Sequence, residues 1–90
     1  MAHVLTMRGV EGFIEWGYQR AARVTAWTVT KEPEGLKLTG TVDQADTFRL
    51  QQMPLTFRVA RNTGSPWTWT IRELHIADTS LTAMLVPQES

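Results

Sequence analysis

The chain reads as a small all-β domain, an antiparallel sandwich or partly closed barrel of six to seven strands. Three observations predict it. In 55–59, 67–71 and 81–85 every second residue is apolar, and those between are mostly Thr or Arg. That period of two marks strands with one face in a core and one in water. Gly, Pro, Asn and Asp punctuate the chain at strand-length intervals. Thirteen threonines, most of them in the alternating runs, favour strands over long helices.

The elements follow in order. Residues 3–18 form a first strand or pair of strands, with Val10, Gly12, Ile14, Trp16 and Tyr18 on one parity and Glu11, Phe13 and Glu15 on the other. Gly9, Gly12 and Gly17 interrupt it, which predicts a bulge, a bend or close backbone approach. Arg23–Lys31 and Leu36–Asp43 form a hairpin around the turn Glu32-Pro33-Glu34-Gly35. The apolar parity slips between Val24/Ala26 and Trp27/Val29, so this strand either carries a bulge or is covered on both faces.

Residues 44–54 read as a short strand or a helical turn crossing between sheets. Asp43 or Asp46 serves as its cap, and Pro54 ends it. A loop at 61–66 leads into a long strand, 67–76, whose phase flips near Arg72–Glu73 and so predicts a second bulge. Residues 77–80 are a tight connection, and 87–90 a flexible tail. No internal repeat is present.

Ninety residues make one domain, 1–90, and a chain of this length buries only about 60–65% of its unfolded surface. It has no Cys, hence neither disulfides nor thiolate metal ligands, and two His are too few to specify a zinc site. No cofactor is implied. With so thin a core, oligomerisation is an attractive further source of stability.

Net charge is zero, so bulk electrostatics selects no partner. Between Asp46 and Glu73 there is no acidic residue, while Arg49, Arg58, Arg61 and Arg72 fall in that interval. A solvated face of uneven sign accounts for this. No apolar stretch approaches the ~20 residues of a membrane-spanning helix, and the N-terminus lacks the pattern of a secretory signal. The expectation is a soluble, intracellularly made protein with no membrane partner.

The best catalytic candidates are Glu73, His75 and Asp78, a His between two carboxylates. A solvent-facing strand and its turn routinely carry such residues, and nothing else supplies the convergent polar groups of an active site. The chain reads as non-enzymatic. Trp67 and Trp69 share the parity of Ile71 and are expected to face inward, whereas Thr68 and Thr70 face outward with the arginines. A base-stacking platform needs exposed rings, so single-stranded nucleic-acid binding is the second choice. The leading one is a protein contact through Arg58, Arg61, Thr68, Thr70 and Arg72.

The run Asp46-Thr-Phe48-Arg-Leu50, Pro54-Leu-Thr-Phe57-Arg-Val59, Pro66-Trp67-Thr-Trp69 through Ile76-Ala-Asp78, and Leu81-Thr-Ala-Met-Leu85 resembles small all-β proteins encoded among the structural genes of tailed bacteriophages. The resemblance spans about the C-terminal half and rests on style, so no functional residue carries over. Members of that group decorate or cement capsids, join head to tail, or build tail tubes and baseplates. The resemblance implies a multi-copy virion component made in the host bacterial cytoplasm, in contact with other virion proteins or with copies of itself as a homo-oligomer. The alternatives are a small barrel that binds single-stranded nucleic acid and a small inhibitor of a host protein.

Overall fold

Alternating sequence makes strands, and their pairing decides how the apolar face is closed. The computed structural model describes residues 4–86, with side chains from Met7 onward; His3 and the predicted tail at 87–90 lie outside the described residues. The strands are β1 (Val4–Trp16), β2 (Gln19–Glu32), β3 (Gly35–Asp43), β4 (Leu55–Val59), β5 (Trp67–Ala77) and β6 (Ser80–Val86). All pairs are antiparallel, and the sheet closes into a barrel in the order β1-β2-β3-β6-β5-β4. The choice between sandwich and barrel therefore falls to the barrel, with six strands. Of the predicted stretch 3–18, the described residues 4–18 contribute one strand and its turn, not two strands.

Advancing every strand label by three leaves the set of neighbours unchanged. The barrel is thus two three-stranded meanders of the same connectivity, although no sequence repeat announces it. The bulges obey the same relation. In β2, Ala26 and Trp27 stand against a single residue of β3, between the pairs Thr25–Thr41 and Thr28–Thr39. In β5, Arg72 is the extra residue against β6, between Ile71–Leu85 and Glu73–Met84. Both parity slips seen in the sequence are bulges, each in the middle strand of its meander.

Ala26 takes the left-handed conformation, with φ 50°, and this turns Trp27 into the core behind Val24. A further register shift places Ala21 and Ala22 both inside, between Ile14–Ala22 and Glu15–Arg20.

Ile14, Val24, Trp27, Val29, Leu38, Leu55, Phe57, Ile71, Leu81, Ala83 and Leu85 fill the barrel. Phe57 lies edge-on to Trp27 at 5.3 Å between ring centroids and stacks on Trp69 at 5.8 Å. The glycines of β1 make room for these rings. A Cβ on Gly9 would meet Trp27 at 2.5 Å, and one on Gly12 would meet Phe57 at 2.7 Å. Here close approach, rather than a bulge, explains the strand glycines; Gly17, with φ 64°, instead serves the β1–β2 turn.

The crossing at residues 44–54 contains one helical turn, α1 (Thr47–Leu50). Asp46 caps it, accepting from Arg49 N–H at 3.0 Å. Asp46 N–H donates to Ala21 C=O at 2.7 Å, and Arg49 Nη1 donates to Arg20 C=O at 2.8 Å. These bonds hold α1 across the end of the barrel where β1 turns into β2. No helix among the described residues is long and apolar enough to cross a membrane.

Candidate interaction surface

The length of β4 shapes the surface. With only five residues, it pairs with Phe13–Trp16 of β1 and with Trp67–Ile71 of β5. Both neighbours outrun it. Val4–Glu11 of β1 overhang at one end of the barrel, and Arg72–Ala77 of β5 at the other. Among the described residues neither stretch has a strand on that side. A closed barrel ordinarily removes sheet edges, but this one retains two short ones.

Beside the β5 overhang runs a crevice of about 420 Å³, lined by Ala45, Thr47, Leu50, Gln51, Leu74, Ile76 and Asp78. Leu74 and Ile76 pack against the core but stay half-exposed, because the strand that would cover them is replaced by α1 and its linker. At this end the barrel also presents Tyr18, fully exposed in the β1–β2 turn, and the exposed Phe48 and Met53. Phe48 stands edge-on to the half-buried Trp16, with ring centroids 6.2 Å apart. Apolar side chains gathered at one end of a small domain suit a contact with another macromolecule.

The five residues expected at a contact do not form one patch. Arg58, Thr68 and Thr70 share the outer face of β4–β5, with Arg58 opposite Thr68 in register. Arg58 is 3.6 Å from Glu15. Arg61 sits in the following loop with its guanidinium 4.9 Å from the centre of the Trp67 ring. Arg72, displaced by its bulge, borders a shallow depression with Glu32, Glu34, Lys37, Glu73 and Met84. The basic run in the sequence is therefore dispersed among carboxylates and aromatic partners.

One expectation about the aromatics needs correcting. Trp69 packs against the core, but Trp67 is 40% exposed. Trp67 is the first residue of β5, at the barrel rim, where inward parity leads past the last core layer into solvent. Arg61 covers one side of its ring; the ring does not line a cleft with Trp69, which stacks on Phe57.

Glu73, His75 and Asp78 are all exposed on β5 and its turn, and among the described residues no three His, Asp or Glu side chains converge on a metal-sized position. The outer wall instead carries a cross-strand row, Asp43–Arg23–Phe13–Arg58–Thr68, in continuous register across five strands. Arg23 donates through Nε to Glu11 at 2.8 Å and through Nη1 to Asp43 at 3.0 Å. The hydrogen bond that Arg23 donates to Glu11 is the largest effect raising its pKa above its already high value; burial opposes it, and the Glu11 charge, the hydrogen bond to Asp43 and the Asp43 charge add to the rise. Arg20 lies 3.7 Å above the centre of the Phe13 ring. The apolar end and the two overhangs escape a sequence reading, because they depend on which strand runs out first. No family model matches the chain, and no curated protein or solved structure matches it either.

Proposed function

We propose that the chain is a non-catalytic assembly protein, a multi-copy component of a tailed-bacteriophage particle, that docks through the apolar end of its barrel. The observation that carries this reading is the concentration of Tyr18, Phe48 and Met53 in solvent beside Trp16 and the Leu50–Leu74–Ile76 crevice. Each exposed apolar side chain gains about 1.5–3 kcal/mol when a partner takes it out of water, so several on one end supply a strong drive to associate. The virion assignment rests on the style of the C-terminal half, which resembles small phage structural proteins.

The test has two arms. Light scattering over a concentration series, on the native chain and on the double variant Tyr18→Ser/Phe48→Ser, is expected to show association that the variant loses while its circular dichroism stays unchanged. Mass spectrometry of purified particles, made with the chain's neighbouring structural genes, is expected to find it in stoichiometric copies. A chain that stays monomeric and is missing from particles refutes the proposal. A gel shift with single-stranded DNA or RNA at low salt, lost in Arg58→Ala and Arg61→Ala, would favour the nucleic-acid barrel instead.

A further inference from the structure

We infer that the crevice beside α1 is a socket for one basic side chain of the docking partner, with its alkyl stem on Leu50, Leu74 and Ile76 and its cation at Asp78. This rests on the assembly reading and names the chemistry that the partner brings to the apolar end.

The lining is amphipathic in one particular way. Around this space of about 420 Å³, Leu50, Leu74 and Ile76 are aliphatic, Thr47 and Gln51 offer neutral oxygens, and Asp78 alone is charged. Leu74 and Ile76 pack against the core on one side and stay half-exposed on the other. A methylene stem covers an apolar wall of this kind while its polar head stays in water. A carboxylate in the same lining favours a stem that ends in a cation and opposes one that ends in an anion.

The cation has to come from outside. The other carboxylates of this end each face an arginine: Glu15 lies 3.6 Å from Arg58, Asp43 3.0 Å from Arg23 and Asp46 3.6 Å from Arg49. Arg20 is taken up by the Phe13 ring, 3.7 Å below it. Among the described residues the Asp78 carboxylate has neither a hydrogen bond nor an ion pair.

The turn does not account for that charge. Asp78 takes the left-handed conformation, with φ 56°, between β5 and β6. Asp, Asn and Gly all tolerate this backbone, and two of the three do so without a charge. Asp78→Asn therefore removes the charge and keeps the turn.

Backbone amide NMR shifts of the full chain are followed as n-hexylammonium chloride, n-hexanol or sodium hexanoate is added at low salt. Hexylammonium is expected to move the amides of residues 47–51 and 74–78 and to bind roughly fivefold tighter than hexanol, with hexanoate the weakest. In Asp78→Asn the preference for the amine over the alcohol is expected to vanish, with the shifts outside the turn unchanged; Asp78→Gly is the second variant should the first disturb the fold. Hexanol binding as tightly as hexylammonium to the native chain assigns the crevice to a neutral apolar side chain and overturns the socket, as does an absence of shifts at these residues. Particles made with Asp78→Asn are expected to hold several-fold fewer copies than those made with the native chain. A native copy number in that variant overturns the socket while leaving assembly standing. A native chain that is monomeric and missing from particles overturns both.

Discussion

A methyl group on Gly9 would sit 2.5 Å from Cζ2 of Trp27, so the indole lies flat against bare backbone of the facing strand. Trp27 is the largest of the fully buried side chains, and among the described residues its Nε1 has no hydrogen-bond partner. Gly9→Ala forces the indole to move and is expected to cost about 1–3 kcal/mol in urea unfolding. An unchanged midpoint would mean that the ring has room to retreat.

The bulge in β2 makes two facing positions respond with opposite signs. Ala26 occupies left-handed space at φ 50°, where a side chain is strained and glycine is not. Ala26→Gly is expected to leave stability level or raise it by about 0.5–1 kcal/mol. Across the ladder, a Cβ on Gly40 would meet Val24 Cγ1 at 2.9 Å and Thr25 O and Trp27 Cα at 3.2 Å. Gly40→Ala presses mostly on backbone and is expected to cost about 2 kcal/mol. Thermal melts of the two variants check the pair; a loss on Ala26→Gly would contradict the strained bulge.

These bulges also mark how far local pattern reaches. The slips at Trp27 and Arg72 are legible because bulky apolar residues change parity there. The slip at Ala21–Ala22 is silent, since two small residues satisfy either face. Closure into a barrel joins Phe13–Trp16 to Leu55–Arg58, strands far apart in sequence whose alternation is the same whether or not they meet. Trp67 looked inward because parity carries no information about height along the barrel. The apolar end and the overhangs are illegible for a related reason. Alternation reveals faces, whereas the contact features here arise at strand ends, from a β4 too short for its neighbours.

Arg23 stands between Glu11 and Asp43, but its side chain is one-third exposed and the carboxylates are half-exposed. Solvent screening limits what the triad contributes. Arg23→Ala is expected to lower the urea midpoint only slightly, and by less as salt is raised towards molar concentration. A large loss, insensitive to salt, would show that the arginine stem supports β2 by packing instead.

The cap of α1 tests whether the linker keeps the crevice open. Asp46 accepts from Arg49 N–H and lies 3.6 Å from the Arg49 guanidinium, which itself donates to Arg20 C=O. Removing the carboxylate frees the first turn of α1 and loosens that arginine together. Asp46→Ala is expected to cost about 1 kcal/mol globally. Its larger effect is local, on Thr47 and Leu50, the side chains through which α1 lines the crevice with Leu74 and Ile76. Hydrogen exchange should quicken at residues 47–52 while the strands of the first meander keep their protection. If instead all six strands lose protection together, α1 is an integral part of the barrel's cooperative unit, and the crevice cannot widen or close without unfolding it.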